Sequence, residues 1–124
     1  MAPWPQTGWP RPVVVVLHGN YDRPEWECET WHKVVGQRAW VLCPRGSPNP
    51  WASKEEDRWT YTTFEKLRAE IDAGISALAA QYPGMVNVTR MVLAGFSLGA
   101  MLAPALFMQF RGRFQSRFLF DVVL

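Results

Sequence analysis

Histidine is scarce in this chain. Of 124 residues two are histidine, His18 and His32, and none follows residue 32. Chemistry that needs an imidazole late in the chain therefore has none there to draw on. Cysteine is as rare: Cys28 and Cys43 fit neither a C-x-x-C motif nor a zinc pattern with paired histidines. No metal and no cofactor is expected, and the two thiols read as reduced and structural. No stretch approaches the ~18 consecutive apolar residues of a membrane span. Met1 to Pro12, with four prolines, lacks the basic and then apolar order of a signal peptide. A cytoplasmic protein without a membrane partner is the expectation. The net charge of +2 is too small to call for a polyanion. Arg111, Arg113 and Arg117 sit among apolar and aromatic residues, so they read as a solvated face and not as a nucleic-acid site.

What is present is a globular composition, 48% hydrophobic and 19% charged with the signs mixed. The length allows one domain, residues 1–124, short of the ~200 residues that large single-domain α/β enzymes often reach. Val13-Val14-Val15-Val16-Leu17 has the β-branched composition of a strand buried on both faces of a parallel sheet. It runs into His18-Gly19. Helical character follows within Asp22 to Gln37, then a second strand, Ala39 to Cys43, closed by Pro44. A crossover joins the two, as a βαβ unit demands.

From Arg45 to Thr60 the text is polar and broken by proline, and reads as a long surface loop without regular structure. Thr62 and Glu65 have capping-box spacing for the helix that follows. Phe64, Leu67, Ile71, Ile75 and Leu78 form its core-facing stripe until Tyr82-Pro83-Gly84 ends it. Arg90 to Ala94 reads as a third strand, and a helix is predicted from Leu98 to about Phe110. Pro104 inside that helix removes a hydrogen bond, at roughly 3 kcal/mol. A fourth strand is expected around Asp121 to Leu124.

Gly95-Phe96-Ser97-Leu98-Gly99 stands between the third strand and that helix. This is the strand, sharp turn and helix setting that G-x-S-x-G requires. Ser97 is the candidate nucleophile, with Gly95 and Gly99 leaving room for close packing around it. Attack on an ester builds negative charge on the carbonyl oxygen. Each main-chain N–H aimed there removes ~3–4 kcal/mol of barrier. Leu98 is one expected donor, because it follows the nucleophile at a helix N-terminus. Asn20, in the loop after the first strand, is the second, with Tyr21 as the alternative; His18 and Gly19 shape that loop. Trp51 and Trp59 are candidates to line a substrate pocket. A P-loop reading fails, since the glycine-lysine pattern is missing.

Val-Leu-His-Gly, the strand ending in Cys43-Pro44-Arg45-Gly46, Trp59, and Gly-Phe-Ser-Leu-Gly-Ala together resemble the α/β-hydrolase superfamily. They are most similar to its phospholipase/carboxylesterase and dienelactone-hydrolase-like branch, over residues 13–103. The resemblance implies a partial α/β-hydrolase fold with about four parallel strands, in the order 4-3-5-6, and flanking helices. It implies a serine hydrolase acting on small carboxylic esters or thioesters. It also implies an acid and then a histidine after the serine, which this sequence lacks.

Asp121 is the one acidic residue beyond Ser97 and has no histidine to orient. Arg111 to Phe120 departs from the family pattern, as a truncation or a shifted reading frame would make it. Without its base the serine keeps only a residual ~10³–10⁴-fold catalysis from binding and oxyanion stabilisation. The competing reading is a non-catalytic α/β binding module that keeps the turn but not the triad. In either case exposed sheet edges would favour self-association.

Overall fold

The computed structural model describes residues 10–110 and, for the main chain alone, 114–121. The elements follow as β1 (Arg11–Leu17), α1 (Pro24–Val35), β2 (Trp40–Leu42), β3 (Ser47–Pro48), β4 (Trp59–Thr60), α2 (Phe64–Gln81), β5 (Val86–Phe96), α3 (Leu98–Gln109) and β6 (Phe114–Asp121). The chain is α/β with a parallel sheet. Its strand order is β2-β1-β5-β6, and β3 pairs antiparallel with β4 in a separate two-stranded ribbon.

The valine run explains the layering. Val13, Val15 and Leu17 point to one side of β1, where Leu67, Ile71 and Ile75 of α2 and Ala103 and Leu106 of α3 meet them. Val14 and Val16 point to the other, against Trp31 and Val35 of α1. Alternation along a strand thus builds two cores from one apolar run. Full burial of each such side chain contributes about 1.5–3 kcal/mol.

Four local expectations need correction. The cap of α2 is Thr63 and not Thr62: its hydroxyl accepts from the Lys66 N–H at 3.2 Å. The Thr62 hydroxyl faces Ser47 instead. The polar stretch 45–60 holds regular structure. Ser47 and Pro48 pair with Thr60 and Trp59, and a short 3₁₀ turn, Lys54–Glu56, is closed by a capping box from Ser53. Such pairing is made between distant residues, so local composition does not announce it. The third strand is longer than read, because the turn at Tyr82 to Met85 feeds directly into it. The terminal strand spans Phe114–Asp121, ending where it was expected to start; residues 122–124, like Arg111 and Arg113, lie outside the described residues. Pro104 does sit inside α3, exposed, and nothing in the structure explains it.

The cysteines are not free thiols. Cys28 of α1 and Cys43, just beyond β2, form a disulfide with their Cα atoms 5.9 Å apart. Their separation of 15 residues hid the pair from a reading based on metal-ligand spacing. Disulfides persist chiefly in oxidising compartments, so the ground for expecting a cytoplasmic protein falls away. Among the described residues no helix is long and apolar enough to cross a membrane. No group of three or more His, Cys, Asp or Glu residues gathers there to hold a metal.

Closing a loop of this length restricts the unfolded chain by about 3 kcal/mol on the chain-entropy account. Reduction, or the double substitution Cys28→Ser/Cys43→Ser, should lower the unfolding free energy by about that amount. Urea denaturation with and without reductant measures it, and an unchanged midpoint would contradict the pairing.

Candidate functional site

The strand β5 ends at Phe96 and α3 begins at Leu98, so a single residue makes the turn between them. That residue is Ser97, held at φ 54° and ψ −114° and only partly buried. Positive φ is costly for a side chain with a Cβ, of the order of 1–3 kcal/mol, and persists only where the surroundings enforce it. Two glycines provide the enforcement. A Cβ on Gly95 would lie 2.7 Å from the main chain at Gly99 and Ala100, and a Cβ on Gly99 would lie 2.3 Å from the Leu17 carbonyl oxygen. Only hydrogen at these positions lets α3 press its first turn onto the ends of β1 and β5. The N–H groups of Leu98, Gly99 and Ala100 then have no partner within the helix, as for any first turn.

The loop after β1 lies beside this turn. A Cβ built on Gly19 would be 3.4 Å from the Ser97 Cβ and 3.4 Å from Asp22 Oδ2. His18 is 1% exposed and stacked on Tyr61. Its Nδ1 is 2.7 Å from the Gly19 carbonyl oxygen and its Nε2 is 2.7 Å from that of Arg45. Each ring nitrogen lies against a main-chain carbonyl oxygen, a neutral ring can donate to only one of the two, and neither nitrogen is hydrogen-bonded to Ser97. The second histidine, His32, is exposed on the last turn of α1.

Asn20 and Tyr21 are exposed, and Tyr21 has φ 60°. Among the described residues no acceptor takes the main-chain N–H of Asn20. Asp22 is buried; its Oδ2 accepts from the Gly19 N–H at 3.1 Å and its Oδ1 from the Arg23 N–H at 2.8 Å.

Residues 44–61 strap this loop down nearly residue by residue. The Tyr61 hydroxyl accepts from the His18 N–H and donates to the Pro44 carbonyl; burial pushes its pKa well above the ordinary tyrosine value, so it stays a donor. Asn49 Nδ2 donates to Asn20 Oδ1. The Tyr21 hydroxyl donates to Glu56, which raises the tyrosine pKa and lowers that of the carboxyl. Asp22 and Trp59 exchange two main-chain hydrogen bonds, and Arg23 reaches the carbonyls of Glu56 and Asp57. Arg58 lies between the rings of Tyr21 and Trp26, 5.1 and 4.9 Å from their centroids. At the root of the strap Glu70 of α2 accepts from the N–H groups of Arg45 and Gly46. None of these strap contacts was legible beforehand.

Trp51 and Trp59 part company. Trp51 is 85% exposed, whereas Trp59 is half-buried under the Arg45 guanidinium and borders a cleft of about 360 Å³ with Pro48, Ala52 and Lys54. Asp121 ends β6, its main chain in register with Phe96.

No family model matches the chain, and no curated protein matches it. Solved structures do. One is a protein of unknown function, Atu2452 from Agrobacterium tumefaciens, at TM-score 0.60 and 18% identity, with 85% of this chain covering 52% of that one. Another is the esterase PE8, at TM-score 0.51 and 21% identity, with 79% of this chain covering 51% of that one. The fold is therefore similar to that of an esterase, and the chain spans about half the length of the structures it matches.

One group beside the loop titrates in an accessible range. The Glu27 carboxyl faces that of Asp22, with Oε2 buried and without a hydrogen-bond partner. Burial first, and then Asp22, push its pKa from 4.5 up to about 8. The folded state thus holds a proton that the unfolded chain releases above pH 4.5, and its stabilising contribution is lost as pH rises toward about 8. Melting temperature should fall over that window. Glu27→Gln, which keeps a donor toward Asp22, should flatten the fall; an unaltered pH profile in that variant would show that another group is responsible.

Proposed function

We propose that this chain carries the nucleophile half of a serine hydrolase of the α/β-hydrolase type, on the phospholipase/carboxylesterase or dienelactone-hydrolase-like side of that superfamily. Its substrates are small carboxylic esters or thioesters. The observation that carries the reading is Ser97 at positive φ between a parallel strand and a helix, beside a loop that ends β1. The strand order β2-β1-β5-β6 supports it, being what strands 4-3-5-6 of such a sheet would give.

In this reading the Ser97 Oγ attacks the ester carbonyl. The oxyanion is met by the N–H of Leu98, reinforced by the helix N-terminus, and by that of Asn20, with Tyr21 as the alternative. His18, Gly19, Gly95 and Gly99 shape the site. Trp59, half-buried at a cleft whose lining does not include Ser97, and exposed Trp51 remain the candidates for the acyl side of the pocket. The outer strands β2 and β6 are the edges through which copies would associate.

The proton acceptor is the weak point. The ring nitrogens of His18 face the carbonyls of Gly19 and Arg45, and His32 is exposed on α1, so neither is hydrogen-bonded to Ser97 as a base would be. That specific observation favours the second reading for the isolated chain, a binding module that keeps the turn without turnover.

A fluorophosphonate probe and short-chain p-nitrophenyl esters separate the two. Slow, stoichiometric labelling lost in Ser97→Ala, with ester turnover far below that of triad enzymes, is the expected result. Labelling that survives in Ser97→Ala would remove the nucleophile assignment. Labelling of no residue, in a chain that still binds ester, would leave the binding module.

A further inference from the structure

Asn49 is one of few buried polar side chains, 4% exposed, and it lies in the strap, directly after β3. Its hydrogen bonds leave it no freedom. The main chain donates to the Arg58 carbonyl at 2.8 Å and accepts from the Ala52 N–H at 3.2 Å. Its Oδ1 accepts from the Trp51 N–H at 2.9 Å, and its Nδ2 donates to Asn20 Oδ1 at 2.9 Å. The orientation of the amide follows from donor counting. A main-chain N–H can only donate, so the oxygen of Asn49 must face Trp51 and its NH₂ must face Asn20. Asn20 must in turn present its oxygen. An exposed loop residue with a short side chain is thereby tied to a buried anchor whose amide oxygen and nitrogen are both hydrogen-bonded.

We infer that Asn49 is a positioning residue for the anion-binding amide at Asn20: it fixes the Asn20 side chain, and with it the Cα from which the main-chain N–H is aimed. The inference rests on the serine-hydrolase reading, because it gives the Asn20 amide its purpose. Several features make that control necessary. Tyr21, the next residue, is in the left-handed region, which an unsupported loop would leave readily. Gly19, the previous one, has no side chain to pack. The Asn20 side chain holds its own residue of this short arch, beside the bonds that Tyr21 makes to Glu56 and Arg58 and that Asp22 makes to Trp59. The same amide also accepts from the main-chain N–H of Trp51, so it joins the turn after β3 to the arch.

The test uses the whole 124-residue chain, labelled with ¹⁵N and titrated with phenylboronic acid. The serine oxygen adds to trigonal boron and its proton passes to buffer. The resulting boronate is a tetrahedral anion that needs the same amide donors. In the parent chain the amide resonances of Leu98 and Asn20 should both move, and Ser97→Ala should abolish the effect. Asn49→Ala and Asn20→Ala should each weaken binding about tenfold, and the double variant no more than either alone, because both remove one coupling. Unperturbed amide resonances at Val15 and Leu93 certify the fold of each variant.

Undiminished binding in Ser97→Ala, or no movement at Leu98 in the parent, would overturn the nucleophile reading and this inference with it. Movement at Leu98 that depends on Ser97, together with parent-like affinity in Asn49→Ala, would overturn the role of Asn49 alone. So would additive losses in the double variant. Should Asn49→Ala fail to fold, Asn20→Ala decides by itself: its residue is exposed, and parent-like affinity there means that the tether is dispensable.

Discussion

The site depends on how closely the first turn of α3 approaches the sheet. Gly99 lies against the Leu17 carbonyl and Gly95 against the backbone of Gly99 and Ala100, at distances no Cβ would tolerate. With the helix that near, one residue must cover the whole change of direction from β5, and Ser97 does so at a positive φ that is costly for a residue with a Cβ. Parallel pairing sets Leu17 at the end of β1 beside Gly95 of β5, and the loop that leaves β1 passes Ser97, a Cβ on Gly19 lying 3.4 Å from its Cβ. Packing of main chain on main chain therefore precedes any question of chemistry. It draws the serine, the helix N-terminus and the Gly19 arch into one place.

Holding the arch is a separate problem, solved by a separate part of the chain. Residues 18–23 form no helix or named strand and carry two exposed side chains, at Asn20 and Tyr21. Left alone, such a segment samples many conformations, each ordered residue costing roughly 1–2 kcal/mol of backbone entropy. The strap offsets this with hydrogen bonds to His18, Asn20, Tyr21, Asp22 and Arg23. It is itself anchored by the Glu70 carboxylate at its root and, one step further back, by the disulfide at Cys43. Order passes from α1 and α2 through the strap to the arch. The arch is therefore as well determined as a loop of its composition can be.

These two constraints differ in how far the amino-acid text discloses them. The valine run, the stripe Leu67, Ile71 and Ile75, and the setting of Ser97 between apolar strand and helix are periodic or contiguous, and each was visible. The strap was not, because its bonds to the arch join residues 27 to 43 positions apart, between groups that are individually unremarkable in composition. Pro48 and the charges at 54–58 signal a loop when read locally, and only pairing with Trp59 and Thr60 turns them into a ribbon. Thr63 in place of Thr62 is an error of one residue, decided by which hydroxyl reaches the Lys66 N–H. The disulfide was missed for a different reason. Cysteines 15 residues apart match no ligand spacing, and what brings them together is the crossover that lays α1 beside β2.

A serine in this turn without an imidazole beside it is a geometry kept apart from its chemistry. Strain at Ser97 serves nothing in a merely structural turn, where glycine would relieve it at no steric cost. Both nitrogens of His18 lie against main-chain carbonyls of the arch and the strap, and neither is hydrogen-bonded to Ser97. Nearness to Ser97 is therefore not enough. A residue can be bound into the framework that shapes a site, or remain free to exchange protons there, and in this chain His18 has been given the first task. What the described residues supply is a strained serine at a helix N-terminus beside the Gly19 arch, with neither histidine hydrogen-bonded to it.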